Sequence, residues 1–269
     1  MNSFFVTLPS NVQTNQDTNT IGDYVTTLPH ILRLDPSWRV ALTELFFTNS
    51  WYNLEKECEV KILVYDWSRP KSVLTSTESF TIAPGRYATI NDILERINGH
   101  KSVLLEDAKN ALKLAIEPKT NHIMCTIGKS KSGKERFMYE FDPKLADLLG
   151  VPNNEWTKIP MSQLMLAKKP FNKFSGTSTL QVDSDAVDYS IIGNKSTQLL
   201  RVVHIPTLPF GDEAHVVFDK PYYQPLSCDE ISKIRVTIKD ENEQPIDFKF
   251  GKVLVVLHFT QEIFPEAEI

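Results

Sequence analysis

Cysteine is scarce in this sequence: Cys58, Cys125 and Cys228 are the three among 269 residues, and no two form a CxxC pair. An odd number without paired spacing argues against a disulfide framework or a zinc knuckle, and fits a reducing compartment. Glycine is low at 10 residues and the 16 prolines are scattered, so low-complexity linkers are not expected. No stretch approaches the roughly 20 consecutive apolar residues of a membrane helix, so no membrane insertion is expected. The opening Met1–Pro9 lacks a basic region followed by a long apolar run, so it does not read as a secretory signal. The chain reads as a soluble protein made in the cytosol. Charge of one sign is also weak, at a net −5, which disfavours a protein built to neutralise phosphates and makes nucleic acid an unexpected partner.

The motifs of chemistry are missing too. There is no GxSxG, so no nucleophile elbow is present. The six histidines, His30, His100, His122, His204, His215 and His258, show neither an HxH nor an i, i+4 pair of a metal site, and His204 and His258, in strands beside apolar residues, read as packing residues. Gly128-Lys129-Ser130-Lys131-Ser132-Gly133-Lys134-Glu135 has the spacing of a phosphate-binding loop. It carries Glu135 where magnesium ligation needs Ser or Thr, and it joins two strands, so no helix N-terminus is available to the phosphate. It reads as a solvated hairpin loop. Cys125 lies mid-strand and reads as inert core. Asp183, Asp185 and Asp188 are a weak cation candidate without the spacing or glycine of a calcium loop. No enzyme activity, cofactor or small-molecule substrate is expected.

What is present is alternation. Trp38–Phe46, Val60–Tyr65, Glu78–Ile82, Ser178–Asp183, Leu199–Ile205, Ala214–Phe218, Ile231–Lys239 and Val253–Phe259 read as strands. Val253–Leu257 is apolar on both faces, as in a strand covered on two sides. Residues 84–150 break the pattern. Thr89 as N-cap, Ile90, Ile93, Leu94 and Ile97 at helical spacing, and Gly99 predict a short amphipathic helix. Asp142 with Pro143, then Leu145, Leu148, Leu149, Gly150 and Pro152, predict a second. Between them, Ala111–Ile116 and His122–Ile127 read as a hairpin, followed by a strand from Arg136 to Phe141. No βαβ rhythm appears. Eight or so antiparallel strands in a chain of this length predict a mostly β fold, an antiparallel sandwich of two packed sheets as in a jelly roll, with a small inserted α+β unit; periodicity alone leaves the topology open. The expected organisation is an arm over 1–20, a body from 21–83 and 176–262, an inserted subdomain over 84–175, and an acidic tail over 263–269.

Several phrases follow one another in a telling order. They are Phe5-Val6-Thr7-Leu8-Pro9-Ser10-Asn11, Tyr24-Val25-Thr26-Thr27-Leu28-Pro29, Trp38-Arg39-Val40-Ala41-Leu42-Thr43-Glu44, Pro84-Gly85-Arg86-Tyr87, Leu145-Ala146-Asp147-Leu148-Leu149-Gly150, Leu199-Leu200-Arg201-Val202-Val203, Tyr222-Tyr223-Gln224-Pro225-Leu226, and Phe248-Lys249-Phe250-Gly251-Lys252-Val253 with Leu257-His258-Phe259. The ordered set resembles the minor capsid, or penton, protein of Polinton/Maverick elements and the related adintoviruses. Members often carry an acidic residue after the Trp, where this chain has Arg39. The lysine-rich loop at 128–135 and the acidic end Glu266-Ala267-Glu268 are also particular to this chain.

The resemblance implies a single jelly roll that self-assembles as a homopentamer at the fivefold vertices of an icosahedral shell. It implies double jelly-roll major capsid proteins as neighbours, location in the virion capsid, and no catalytic residues. A cyclic ring needs two different complementary patches per subunit. Phe4, Phe5, Trp51, Tyr52 and Trp156 are the interface candidates, because each is a large aromatic in a polar stretch or a terminal one. For each, plugging its own subunit is the alternative. Two further readings stay open: a jelly-roll carbohydrate- or receptor-binding protein, and a cement component of a capsid.

Overall fold

The computed structural model describes residues 2–11, 19–66, 68, 72–105, 108–110, 112–158, 164–172 and 177–261. The chain divides into two compact units, Met1–Tyr52 with Gly176–Ile269, and Asn53–Ser175.

The first unit is built on eight strands: β1 (Ser3–Pro9), β2 (Asp23–Arg33), β3 (Trp38–Thr48), β4 (Thr179–Ser184), β5 (Leu199–His204), β6 (Glu213–Val217), β7 (Glu230–Lys239) and β8 (Val253–Gln261). They form two antiparallel sheets, ordered β1-β8-β3-β6 and β5-β4-β7-β2, with the short pair Gln224–Pro225 adding to β3. Strands that follow in the chain thus mostly lie in opposite sheets. That alternation is the jelly-roll winding, so the fold is a mostly β, jelly-roll-like sandwich, as the strand pattern predicts. The inner faces meet in one core containing Leu8, Tyr24, Val40, Leu42, Leu45, Phe47, Trp51, Ile234, Val236, Ile238, Val255, Leu257 and Phe259.

The core demands more than simple alternation from β3. Val40 and Leu42 point inward, and so do Leu45 and Phe47, although even and odd positions ought to face opposite ways. The register passes from Leu257↔Leu42 to Val256↔Glu44, so Thr43 is an extra residue on β3. This is a β-bulge, which switches the strand's parity. The Thr43 hydroxyl donates to the Val256 carbonyl at 3.0 Å, and its own carbonyl accepts the Phe218 N–H at 2.9 Å.

The second unit holds a five-stranded sheet in the order 73–82, 58–66, 135–141, 128–130, 108–110, and a four-stranded sheet in the order 156–158, 164–170, 122–126, 113–117. Helix α1 (Ile90–Asn98) buries Ile90, Ile93, Leu94 and Ile97, and the Asp92 carboxylate accepts the Thr89 N–H at 2.8 Å at its start. Helix α2 (Pro143–Leu148) starts at Asp142, whose side chain accepts the Lys144 N–H, and buries Leu145 and Ala146. The core adds Ile62, Leu114, Ile123, Cys125, Phe137 and Tyr139.

Two boundaries differ from the sequence expectation. The junction lies at Tyr52/Asn53 instead of 83/84, because Cys58–Asp66 pairs with Val73–Ile82 on one side and Glu135–Phe141 on the other. Those pairings place the strands at 58–66 and 73–82 in the second unit. Residues 3–9 of the expected arm are a full sheet strand, in register from Ser3↔Thr260 to Pro9↔Leu254. Residues 12–18 of that arm and the expected tail at 263–269 lie outside the described residues. Among the described residues, no helix is long and apolar enough to cross a membrane.

Candidate interface site

The five aromatic residues singled out from the sequence have different surroundings. Phe4 faces inward, stacked on Phe259 at 5.0 Å between ring centroids and tilted against Trp38 at 5.4 Å. Trp51 is 3% exposed and packs against Phe47 at 6.0 Å and edge-on to Phe248 at 5.4 Å, so it plugs the core of its own unit. Trp156, in the second unit, lies 6.3 Å from Phe141 and is half-buried. Tyr52 joins a partly open aromatic group with Phe210, under the Lys249 ammonium at 5.0 Å. Phe210 in turn meets Phe250 edge-on at 5.5 Å, and those two are 40% and 46% exposed. Phe5 alone of the five is largely open, at 63% exposure.

Phe5 belongs to a surface that the sequence did not signal. On the outer face of the β1-β8-β3-β6 sheet, register brings Phe5 opposite His258 and Phe46 opposite His215. Both pairs are stacked, at 4.4 Å and 3.8 Å. Tyr223 Oη lies 2.7 Å from His258 Nδ1, and His215 Nε2 lies 2.8 Å from Glu44 Oε2. Burial holds the His258 ring below the usual histidine range, which favours a neutral ring accepting from the Tyr223 hydroxyl. The face combines open aromatic rings with polar tips held in place.

A second surface lies where the sheets end. β1 and β2 are terminal strands of opposite sheets, and a groove of about 450 Å³ runs between them, lined by Phe4, Val6, Leu28, Pro29, His30 and Leu32. On the opposite edges, β5 and β6 meet through Arg201. Its guanidinium is held between Phe218 at 3.9 Å and Tyr222 at 4.3 Å, and donates to the Lys220 carbonyl at 3.0 Å. The hairpin Ser190–Ile192/Lys195–Thr197 is tied by Thr197 to Asp183 at 2.9 Å and by Lys195 to Glu243 at 2.6 Å, and beside it Tyr189 and within it Ile191 are 66% and 82% exposed.

The groups that suggest chemistry are occupied with structure. Gly128–Ser130 and Glu135–Phe141 are paired strands, and the Gly133 N–H closes the turn onto the Ser130 carbonyl at 2.9 Å. Burial pushes the Cys125 thiol up to about 12, leaving it protonated and unreactive. Asp183 Oδ2 accepts from Thr197 at 2.9 Å and Lys239 at 2.5 Å, Asp185 from the Arg235 N–H at 2.8 Å, and Asp188 from the Tyr189 N–H at 2.7 Å. The three carboxylates thus serve separate partners. No group of three or more His, Cys, Asp or Glu residues among those described is arranged to hold a metal ion.

One constellation has the ingredients of a hydrolytic triad. Glu78 accepts from the Ser102 hydroxyl at 2.7 Å and lies 3.1 Å from His100 Nε2, while His100 stacks on Phe80 at 3.8 Å. The carboxylate is the hub, so the hydroxyl is spent on the acid instead of on the imidazole that would activate it. Burial raises the Glu78 carboxyl, but its hydrogen bonds to Ser102, His100 and the Leu104 N–H outweigh this and hold it below the usual range. The arrangement is a satisfied polar cluster.

No protein-family model matches the sequence, and no curated protein sequence matches it. The fold is similar to that of the mavirus penton protein, known from the crystal structure of its selenomethionine-labelled form. The similarity covers 98% of this chain and 100% of that one, at 10% identity and a TM-score of 0.50.

Proposed function

We propose that this chain is a non-enzymatic structural protein of a viral capsid, of the penton type, whose working parts are its edges and outer faces. The observation that carries the reading is the end-to-end similarity in fold to a penton protein, spanning both units of this chain. The Glu78–His100–Ser102 cluster is internally satisfied, while large aromatic and aliphatic side chains stand open on the sandwich. Exposed apolar groups rimmed by polar ones suit assembly.

In this reading the chain forms a homopentamer at the vertex of an icosahedral shell, packs beside a double jelly-roll major capsid protein, and resides in the virion capsid. The ordered sequence phrases favour the Polinton/Maverick and adintovirus lineage as its source. Native mass spectrometry and negative-stain microscopy of the full chain, alone and mixed with a double jelly-roll capsid protein, test it. Closed five-membered rings are expected, and a strict monomer in both conditions overturns the reading.

The Phe5–His258–Tyr223 face favours one second reading, receptor or glycan binding, because sugar rings stack on open aromatic faces. Glycan binding abolished by Phe5→Ala supports that role, and no binding to a glycan array removes it.

A further inference from the structure

β1 is held along one side only. Its ladder on β8 runs from Ser3↔Thr260 to Pro9↔Leu254, and no strand among the described residues pairs with its other side. Its inward side chains Phe4, Val6 and Leu8 fill a slot at the margin of the core, with Leu8 fully buried. Beyond Phe4 and Val6 the slot opens into the lateral groove of about 450 Å³. Strand and slot are thus complementary surfaces that meet at an outside edge of the sandwich, where an adjoining copy can reach them.

The connection that follows β1 is longer than its task within one copy. The end of β1 already lies against the start of β2, where the Tyr24 hydroxyl meets the Leu8 carbonyl at 2.8 Å. Ser10 is anchored to Val253 by two hydrogen bonds of 2.9 Å, and the Asn19 side chain to Val25 by bonds of 3.0 and 3.1 Å. Between these anchors, residues 11–18 are polar apart from Val12 and reach roughly 30 Å at full extension. That length can carry β1 to an adjoining copy while Ser10 and Asn19 keep their partners.

A copy that lends its β1 and receives another makes the same contacts as a copy that keeps its own. Strand and slot are also the two unlike patches that a cyclic ring demands, and every copy carries both. Closure gains a driving force from this. An open row leaves one slot empty and one β1 uncovered, with Phe4, Val6 and Leu8 in water, whereas a closed ring fills every slot. We infer that in the assembled ring β1 of each copy lies along β8 of the next, in the register Ser3↔Thr260 to Pro9↔Leu254. This rests on the assembly reading above and names its contact: the Phe4–Phe259 and Phe5–His258 stacks become contacts between chains.

Disulfide trapping tests the exchange. Thr7 lies opposite Val256, and Ser3 opposite Thr260, and directly opposed positions stand close enough for a disulfide. Cys58 and Cys125 are buried and Cys228 is exposed, so Cys228→Ser serves as the background. The full chain carrying Thr7→Cys/Val256→Cys, and separately Ser3→Cys/Thr260→Cys, is assembled in reductant, oxidised, and then denatured without reductant. Covalently linked multimers are expected from both pairs. Rings whose disulfides form only within single chains overturn the exchange and leave the assembly reading standing. Oxidising the dissociated chain first pins β1 to its own β8, which should cut ring yield at least roughly tenfold until reductant is added. A yield unchanged by that lock also overturns the exchange. A wild-type chain that stays monomeric, alone and with a double jelly-roll capsid protein, overturns both readings.

Discussion

The Tyr24 hydroxyl donates to the Leu8 carbonyl at 2.8 Å, tying β2 of one sheet to β1 of the other. Tyr24 is 1% exposed, and burial pushes its phenol far above the usual range, so it remains a neutral donor. Tyr24→Phe keeps the ring and removes the donor from a buried carbonyl. Urea denaturation should show a loss of about 1–3 kcal/mol, and an unchanged midpoint would refute the tie.

Asp23 and Arg235 form a forked ion pair, Nε to Oδ1 at 2.8 Å and Nη2 to Oδ2 at 2.6 Å, between β2 and β7. The Arg235 hydrogen bond holds the Asp23 carboxyl below its ordinary 3.8, against an opposing effect of burial. A depressed carboxyl stabilises the fold above the unfolded value and stops doing so as pH falls through the folded one. The stability gap between wild type and Asp23→Asn should therefore be present at pH 6 and shrink below about pH 4. A gap that grows on acidification contradicts this assignment.

Gly150 follows α2 with φ at 74°, and a Cβ there would stand 2.1 Å from the Lys169 carbonyl oxygen. Both the left-handed backbone and the close approach reject a side chain. Gly150→Ala is expected to destabilise by more than about 1 kcal/mol in thermal denaturation, and a neutral effect counts against this packing.

Trp51 and Phe5 separate core from surface. Trp51→Ala empties a buried site and should cost about 3–5 kcal/mol. Phe5→Ala should stay within about 1 kcal/mol as a monomer, because its ring is open to solvent. Equal losses in chemical denaturation would contradict the burial assigned to the two rings.

The strands and helices were legible in the sequence where local chemistry is strong. Thr89 with Asp92, and Asp142 with Pro143, mark both helix starts, and Ile234-Arg235-Val236-Thr237-Ile238-Lys239 alternates cleanly in β7. β2 escaped because Pro29 interrupts it and its far end faces solvent. The bulge at Thr43 was invisible to a period-2 reading, since only pairing with Val256 and Leu257 reveals the extra residue. The junction at Tyr52/Asn53 was missed because strand 58–66 has the same alternation whichever sheet it joins. The polar neighbours of Trp51 left an interface role and a plug in its own subunit both open, and only the packing between Phe47 and Phe248 decides for the plug. The groove and the histidine stacks join residues distant in sequence, Phe5 with His258 and Phe46 with His215, so local pattern carried no sign of them.

The Ser3↔Thr260 register has a consequence for biosynthesis. β1 leaves the ribosome long before its ladder partner β8, while the second unit, encoded between them, is one uninterrupted stretch. The nascent chain can thus complete that module while Phe4 and Phe5 still await their strand. Until translation delivers β8, the β1 edge offers an apolar segment to chaperones or to the same segment on adjacent polysomes.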